Sequence, residues 1–305
     1  MTASSPPPNP RRAASLLPSR SAPDRLDVAL TRRGLTASRE RAKAAVAAGL
    51  VRVNGTPATK PSQPVGPGDE LRLLGETLRY VGRGGLKLER ALEAFGLDVA
   101  GTTCVDIGAS TGGFTDCLLQ HGAARVTAVD VGHGQLHASL AVDARVTNLE
   151  GTDARTLAPG DAGGPFDVAV TDVSFISLAH VLPAMARLLR PGGTCVCLVK
   201  PQFEAGPAHV GKRGVVRDAR VHREVLARVL ADARAAGLEP RGLTHSPVTG
   251  GEGNIEYLLH AVRARAGQAD AGTTDAGAAL DVGAVVKAAL DVGAVVKAAH
   301  AVFGR

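Results

Sequence analysis

The stretch Cys104-Val-Asp-Ile-Gly-Ala-Ser-Thr-Gly-Gly-Phe114 constrains the fold of this chain more than any other. Its first four residues predict a short buried strand that ends near an acid, and a helix follows from about Gly113 to Leu119. The glycines between them allow a tight turn and a close approach of the backbone to a ligand. A second predicted strand, Arg125–Asp130, ends in an acid whose carboxylate can hold ribose hydroxyls. The sequence therefore predicts a nucleotide-type site on an α/β sheet.

The spacing of this turn argues against a dinucleotide, because it is G-x-x-x-G-G and not G-x-G-x-x-G. A pyrophosphate also needs a helix N-terminus that is free to receive negative charge, and here an acid precedes the turn. S-adenosylmethionine has no phosphate and carries a sulfonium cation, which suits that acid. We therefore expect this cofactor to be bound by residues of the two strand ends and the turn: Asp106, Gly108, Ser110, Gly112, Gly113 and Asp130. A nucleotide site or a purely structural turn is the alternative.

Predicted strands and helices alternate beyond this element, which is typical of an α/β sheet whose ligands bind at the carboxyl ends of the parallel strands. Strands are predicted to end at Asp172 and at Lys200. Glu256 begins the last predicted strand and reaches the same edge if that strand is antiparallel. Lys87, in the first turn of a helix predicted at about 86–95, can reach it too. We expect these four residues to converge beside the glycine turn, either as a catalytic cluster or as salt bridges between strand ends.

The positive charge of the chain lies in its N-terminal third. The formal net charge is +6, and residues 24–90 alone contain 13 Lys and Arg against 7 Asp and Glu. This segment predicts a short helix between Asp24 and Gly34, a second helix at about Ser38 to Ala48, and a hairpin at Asn54-Gly55. A small basic α+β module ahead of a sheet domain suggests binding of a polyanion. A solvated basic surface is the alternative.

The runs RLDVAL, GLTASRERAKAAVAAGLVRVNG and VGPGDELRL resemble an S4 RNA-binding domain. In that family the second helix and the turn after it contact the RNA backbone. The resemblance implies RNA contacts by the residues at matching positions: Arg25, Ser38, Arg39, Lys43 and Asn54. Lys and Arg side chains in such places bind phosphates and carry little sequence information.

The motifs YVGRGGLKLERAL, DIGASTGGFTD, AVDVGHGQL, TDVSFISL, LVKPQFEAG, KRGVVRD and GNIEYLL resemble the TlyA family, also called hemolysin-like. The order Lys87, Asp172, Lys200, Glu256 is similar to the catalytic residues of RNA ribose 2′-O-methyltransferases of the FtsJ type. The resemblance implies methylation of cytidine ribose in ribosomal RNA, with S-adenosylmethionine as methyl donor and ribosomal RNA or ribosomal subunits as partner. Whether Lys200 is the base or orients the hydroxyl stays open.

Two positions depart from the family pattern. Asp153 stands where the family often has Asn, and the resemblance implies that it holds the adenine amino group of the cofactor. The loop 250–254 lacks the Pro and Lys that are usual there. The loop is therefore where we expect substrate contacts to differ from those of the family.

The expected fold is a Rossmann-like α/β methyltransferase sheet preceded by a small α+β S4 domain. We predict a disordered tail at 1–23, the S4 domain at 24–78, a linker at 79–85 and the methyltransferase domain at 86–263. Residues 264–305 are Ala, Gly and Asp rich and repeat ten residues, Ala279–Ala288, as Ala289–Ala298. We expect that tail to be weakly helical at best.

The remaining composition narrows the classes of function. The four cysteines have no zinc spacing, so a reducing cytoplasm and no metal are expected. No apolar run is long enough to span a membrane. Two other functions remain open: a ribosome-assembly factor that binds RNA without catalysis, and a membrane-lysing hemolysin.

Overall fold

The structure is a computed structural model that describes residues 23–36, 38–47, 49–73, 79–265 and 290–304. Contacts divide the chain into two compact units, Met1–Leu78 and Arg79–Arg305. The first is called the smaller unit and the second the larger unit below.

The smaller unit, in its described residues, packs two helices against short strands. The strands are β1 (Asp24–Arg25), β2 (Val51–Val53), β3 (Thr56–Pro57), β4 (Pro64–Val65) and β5 (Leu71–Leu73), and the helices are α1 (Leu26–Arg32) and α2 (Arg39–Ala47). Strands β3, β2 and β5 form an antiparallel sheet, and β1 pairs with β4. Asn54 and Gly55 have φ angles of 52° and 80° between β2 and β3, so the predicted two-residue hairpin is confirmed.

The larger unit alternates strands with helices. Its strands are β6 (Thr103–Ile107), β7 (Arg125–Asp130), β8 (Val146–Glu150), β9 (Phe166–Thr171), β10 (Leu189–Val199), β11 (Leu238–His245) and β12 (Tyr257–Arg263). Its helices are α3 (Gly84–Phe95), α4 (Gly113–Gln120), α5 (Ala138–Ala141), α6 (Leu182–Leu188), α7 (Pro201–Glu204), α8 (Ala219–Ala235) and α9 (Val292–Phe303). Short 3-10 turns lie at Pro159–Ala162, Leu178–His180, Pro207–His209 and Gly251–Gly253.

The seven strands form one sheet in the order β11-β12-β10-β9-β6-β7-β8. Strands β10, β9, β6, β7 and β8 are parallel, and β12 is antiparallel to both β10 and β11. The chain moves outward from β6 to β8 and then returns to β9 on the other side of β6. The carboxyl ends of β6 and β9 therefore flank the switch point, where ligands of open α/β sheets bind.

Both faces of this sheet are covered, as expected for parallel strands. Side chains alternate along β10: Cys195 and Cys197 pack on one face with apolar residues of α6, α8 and α9, and Val196 and Leu198 pack on the other with residues of α3 and α4. Cys104 packs on the second face, and all four cysteines are free and buried. The apolar strands of the sequence are thus core strands.

The end of the chain differs from our expectation of a weakly helical tail. The second copy of the repeat contributes to α9, which begins after Asp291, whose side chain accepts the backbone N–H of Ala294 at 2.9 Å. Val296 and Ala299 are buried against the core. Tertiary packing of an apolar stripe stabilises helices that are marginal alone, which the repeat by itself does not reveal. The first copy lies outside the described residues.

Among the described residues, none of the helices is both long enough and apolar enough to cross a membrane. The described residues also contain no group of three or more His, Cys, Asp or Glu side chains that could hold a metal ion.

Candidate active site

Four charged residues reach one edge of the sheet of the larger unit. Asp172 directly follows β9, and Lys200 directly follows β10. Glu256 precedes β12, whose antiparallel direction places its start at the same edge. Lys87 lies in the first turn of α3 and approaches from the neighbouring helix. The direction of β12 is therefore what allows an acid at the start of a strand to meet residues at the ends of two others.

The four side chains are in contact. Lys87 Nζ lies 2.7 Å from Glu256 Oε2 and 3.7 Å from Asp172 Oδ2. Lys200 Nζ lies 2.6 Å from Asp172 Oδ1. Both lysines thus share the carboxylate of Asp172, and the four charges form one chain of ion pairs. We call this group the charged cluster.

The charged cluster is largely shielded from solvent. The lysine side chains are each 10% exposed, that of Glu256 is 2% exposed, and that of Asp172 is 21% exposed. Two positive and two negative charges balance, which makes this burial tolerable. Burial raises the pKa of Glu256 above its usual range, although the charge of Lys87 opposes this. Asp172, the most exposed member, is the one that a substrate can approach most easily.

Three neighbours of the charged cluster were not predicted from the sequence. Lys200 Nζ donates a hydrogen bond to Ser174 Oγ at 2.8 Å and lies 5.8 Å from the ring centroid of Phe203. Phe203 in turn contacts Phe175, with ring centroids 5.0 Å apart. Phe175 is 90% exposed and has a left-handed φ of 64°. A signal was present: aromatic residues are scarce in this chain, yet two phenylalanines closely follow the strands that carry Asp172 and Lys200.

The glycine turn after β6 is shaped by a close contact and by an acid. Gly108 has a φ of 79°, and a Cβ atom there would lie 2.9 Å from Val173 Cγ1, so a side chain is excluded. The backbone N–H groups of Ser110 and Gly132 donate to Asp130 Oδ2 and Oδ1, both at 2.8 Å. Each carboxylate oxygen can accept more than one hydrogen bond. Asp130 therefore fixes the turn and keeps lone pairs for a ligand.

A cavity of about 520 Å³ opens at the carboxyl ends of β6, β7 and β9. That volume is in the range of small-molecule sites. The residues that line it include Gly108, Ser110, Asp130, Asp153, Asp172 and Phe175. A second cavity of about 190 Å³ is bordered by Gly108, Ser110, Gly113, Asp172 and Lys200, among others. Most of the predicted cofactor residues thus border the same space as Asp172 and Lys200, two members of the charged cluster.

Known protein families match both units of this chain. Residues 80–263 match the family described as FtsJ-like methyltransferase, and residues 24–71 match the S4 domain.

The chain belongs to the FtsJ-like methyltransferase family.

The match contains the glycine turn and all four members of the charged cluster. The fold class expected from the sequence is confirmed, with the methyltransferase sheet in the larger unit and the S4 domain in the smaller unit.

Individual relatives match more than three quarters of the chain. YqxC of Bacillus subtilis, named as a candidate rRNA methyltransferase, is 50% identical over 78% of this chain and 85% of its own length. TlyA of Mycobacterium tuberculosis, a 16S/23S rRNA (cytidine-2′-O)-methyltransferase, is 48% identical over 77% of this chain and 88% of its own length. A solved structure of a candidate hemolysin from Streptococcus thermophilus superimposes with a TM-score of 0.67 at 44% identity, covering 92% of this chain and 96% of that chain. The resemblance to the TlyA family is confirmed.

The glycine turn of this FtsJ-like methyltransferase fits the cationic donor S-adenosylmethionine. Asp106 is fully buried, and its Oδ2 accepts a hydrogen bond from Thr115 Oγ1 at 2.7 Å. Its Oδ1 is buried without a hydrogen-bond partner among the described residues. Burial raises the pKa of Asp106 to about 7, although the Thr115 hydrogen bond lowers it. An unsatisfied carboxylate oxygen beside the turn suits a cationic ligand and is costly without one.

Asp106 and Gly112 are not among the described residues that line the two cavities. Gly112 has a φ of 91°, and a Cβ atom there would lie 2.3 Å from Leu140 Cδ1. Packing under the turn therefore requires glycine at this position, whether or not a ligand contacts it. Asp153 does line the larger cavity, and its carboxylate pairs with Arg155 at 2.6 Å.

In the S4 domain, the predicted RNA-contacting arginines share a partner. Arg25 Nε and Arg39 Nη2 donate to the two oxygens of Asp27, at 3.0 and 3.1 Å. Asp27 is fully buried, and the two arginine side chains are about half exposed. Asp27 is not among the residues predicted from the sequence.

The other predicted RNA-contacting residues have separate local partners. Ser38 Oγ accepts the backbone N–H three residues along, at 3.2 Å, at the start of α2. Lys43 pairs with Glu40 at 2.7 Å on the same helix. Asn54 donates to the side chain of Asp69 at 2.9 Å and holds the hairpin. These residues stay predictions for RNA contact.

Proposed function

We propose that this protein is an S-adenosylmethionine-dependent 2′-O-methyltransferase that acts on cytidine ribose in ribosomal RNA. The observation that carries the proposal is the charged cluster of Lys87, Asp172, Lys200 and Glu256, of which Asp172 and Lys200 border the cavities beside the glycine turn. The family match supports methyl transfer, and the names of the TlyA relatives support ribosomal RNA as the substrate.

Residues of the glycine turn and the strand ends would hold the cofactor along the larger cavity. Asp106, which does not itself line that cavity, would pair with the ammonium group of the cofactor's amino-acid end. Gly108 and Ser110 would allow close approach of the cofactor, and Asp130 would accept hydrogen bonds from its ribose hydroxyls. Asp153 accepts a hydrogen bond from its adenine amino group. When bound, S-adenosylmethionine supplies a methyl group activated by its sulfonium.

The charged cluster prepares the ribose hydroxyl of the substrate. Lys200 Nζ is held in one place by Asp172 and Ser174, where it orients the 2′-oxygen and stabilises the negative charge that develops on it. Lys87 also pairs with Asp172, and Glu256 holds Lys87 in turn. The smaller cavity, which Lys200 and Asp172 border, is the place for that ribose.

Phe175 supplies a surface for the base of the target nucleotide. Its exposed ring lies beside the charged cluster and is supported by Phe203. Aromatic rings in such positions stack on unpaired bases, which is how proteins hold nucleotides in single-stranded conformation.

The S4 domain binds the RNA backbone through Arg25, Arg39 and Lys43, with Ser38 at the start of α2 and Asn54 in the turn between β2 and β3. The partner is a ribosomal subunit or its RNA, which places the protein in the cytoplasm. These contacts position the substrate, and the methyltransferase domain selects the reacting ribose.

The test is transfer of labelled methyl groups from S-adenosylmethionine to isolated small and large ribosomal subunits. We expect Lys200→Ala to lower the rate by about 10³-fold, with binding of S-adenosylhomocysteine unchanged. Lys297→Ala removes an exposed lysine of α9 and serves as the matched control, expected to retain the wild-type rate. Transfer that survives Lys200→Ala would remove the proposed mechanism.

Lys200→Arg separates the two roles of this lysine. Arginine keeps the positive charge but does not act as a base near neutral pH. Partial activity, above that of Lys200→Ala, supports orientation and charge stabilisation. Activity as low as that of Lys200→Ala supports proton acceptance by Lys200.

A further inference from the structure

The smaller unit contains a buried carboxylate that two of its predicted RNA-contacting residues share. Asp27, in the first turn of α1, is 0% exposed. Its Oδ1 accepts hydrogen bonds from Arg25 Nε at 3.0 Å and from the backbone N–H of Val28 at 3.1 Å. Its Oδ2 accepts from Arg25 Nη2 at 3.2 Å and from Arg39 Nη2 at 3.1 Å. Both oxygens are therefore fully used by the protein.

The two guanidinium groups that Asp27 holds, those of Arg25 and Arg39, also reach solvent. The side chains of Arg25 and Arg39 are 51% and 55% exposed. Each guanidinium has five N–H donors, and Asp27 uses only a part of them. Because both Nη2 atoms contact the same oxygen, the two groups are close enough to approach one ligand together.

The carboxylate of Asp27 keeps its negative charge across the physiological pH range. The hydrogen bonds from Arg25 and, to a smaller extent, Arg39 together lower the pKa of Asp27 to about 2, against the effect of burial. The carboxylate is thus ionised whenever the protein meets RNA. Its hold on both arginines does not depend on pH near neutrality.

An acid in a surface that binds a polyanion needs an explanation, because its charge weakens the attraction between protein and RNA. What Asp27 contributes to RNA binding is a fixed orientation of the two arginine side chains. A free arginine side chain loses considerable rotamer freedom when it binds a phosphate, and a side chain that is already held loses less. Guanidinium groups match phosphate oxygens with a planar fork, so their orientation matters as much as their charge.

We propose that Asp27 is a positioning residue that holds Arg25 and Arg39 as a two-armed clamp for a single phosphate group of the RNA backbone. The inference rests on the proposed function in one respect, the identity of the ligand as RNA. Asp27 does not contact the phosphate and acts through the two arginines.

The sign of the effect of Asp27→Asn tests the clamp. The substitution raises the net charge of the smaller unit by one. Attraction that depends on net charge alone predicts tighter binding of RNA, whereas loss of positioning predicts weaker binding. Glu70→Gln makes the same change of charge in the same unit, at an exposed acid that pairs with Arg72 at 2.7 Å, and is the matched control.

Binding of the full-length protein to total ribosomal RNA is measured by filter retention over a range of salt concentrations. We expect Asp27→Asn to weaken binding by about tenfold and Glu70→Gln to leave it unchanged or tighter. The slope of log K against log salt is expected to fall by about one for Asp27→Asn, since one phosphate contact is lost. Binding by Asp27→Asn as tight as by Glu70→Gln would overturn the proposal.

Arg39→Lys provides a second test that still applies if the Asp27→Asn variant fails to fold. It leaves Asp27 in place and keeps the positive charge at an exposed position. We expect it to weaken binding as well, and in the Asp27→Asn background to add little further. Full additivity of the two changes would overturn the clamp.

Failure of the inference and failure of the proposed function give different results. Wild-type protein that methylates ribosomal RNA, together with an Asp27→Asn variant that binds it as tightly as Glu70→Gln, removes the clamp alone. Wild-type protein that binds RNA without methylating it removes the proposed function, and the binding series still decides for or against the clamp.

Discussion

Each unit of this protein holds an acid between two cations. In the larger unit Asp172 lies between Lys87 and Lys200, and in the smaller unit Asp27 lies between Arg25 and Arg39. In the larger unit the cations are buried and the acid is partly exposed. In the smaller unit the acid is buried and the cations are half exposed. The group that reaches solvent is thus the acid in the larger unit and the pair of cations in the smaller unit.

This reversal fits the two roles that we propose for similar residues: action on a hydroxyl in the larger unit and binding of a phosphate in the smaller unit. Glu256 completes the neutral charged cluster of the larger unit, which can be buried beside a cavity and can act on a hydroxyl without attracting every anion. The group around Asp27 keeps a net charge of +1 and faces outward, which favours a phosphate. Lysine suits the first place, because its single Nζ can be aimed at one atom, and arginine suits the second, because its fork spans two oxygens.

The strongest test of the comparison replaces each acid by its amide. Asp172→Asn leaves two buried lysines without a shared partner, and we expect methyl transfer to fall by about 10³-fold while binding of RNA is kept. Asp27→Asn is expected to weaken binding and to keep the rate at saturating RNA. Steady-state kinetics with ribosomal subunits separates kcat from KM.

Asp167→Asn is the control for the first of these variants, since Asp167 lies on the same strand β9, near its amino end, and pairs with Arg190. We expect it to retain the wild-type kcat. The comparison is broken if Asp172→Asn raises KM for RNA and leaves kcat unchanged, because the charged cluster would then be a binding site like the other.

Phe175→Ala tests whether the larger unit also binds RNA by stacking on an aromatic ring. Loss of a stacking surface is expected to raise KM for RNA by about 30-fold, equivalent to ~2 kcal/mol, without changing binding of S-adenosylhomocysteine. Val142→Ala, at another highly exposed apolar residue, is the control and should leave KM unchanged. Equal effects of the two substitutions would show that Phe175 has no specific contact.

The acids of the two units should respond to pH in opposite directions. The folded pKa of Asp106 is raised to about 7, so its contribution to stability is present at low pH and is lost as pH rises through about 7. That of Asp27 is lowered to about 2, so its contribution is present above its unfolded value and is lost as pH falls through about 2.

A cationic cofactor requires Asp106 to be ionised. We therefore expect the affinity for S-adenosylmethionine to fall by about tenfold between pH 8 and pH 6, as the carboxylate becomes protonated. Titration calorimetry measures both the affinity and the proton released on binding. Asp106→Asn is expected to abolish the pH dependence; a variant with the wild-type pH profile would assign the titration to another group.

The smallest effect concerns α9, which packs within the larger unit. Val296→Ala removes buried methyl groups, and we expect it to lower the free energy of unfolding of that unit by about 1–2 kcal/mol. Val302→Ala, at an exposed position of the same helix, is expected to change it by less than about 0.5 kcal/mol. Denaturant unfolding measures both, and equal values would show that α9 is not held by its buried stripe.

Much of the site could be predicted from the sequence because strand ends are visible there. Asp130 ends an apolar strand, and Asp172 and Lys200 directly follow two others, so a parallel sheet brings all three to one edge. Placing Glu256 at the same edge required one more assumption, namely that β12 is antiparallel. The structure confirms that β12 is antiparallel to β10. Loop residues such as Phe175 have no periodic pattern, and its left-handed backbone is not encoded by residue type.

The remaining differences come from tertiary contacts. Asp27 resembles any acid in a helix first turn, and its importance depends on two arginines brought together by the packing of α1 against α2. Likewise α9 needs a groove formed by α8 and β11, far away in sequence. Residues such as Val296 carry no sign in the repeat that a partner exists elsewhere in the chain.

We propose that the charged cluster directs a methyl group to the 2′-oxygen of ribose. A 2′-O-methyl group blocks alkaline cleavage of the adjacent phosphodiester, so the position of the label can be found by alkaline hydrolysis of RNA methylated by the purified protein. We predict label in an alkali-resistant dinucleotide that begins with cytidine, absent with Asp172→Asn. Label released in mononucleotides, as from a methylated base, would contradict the account.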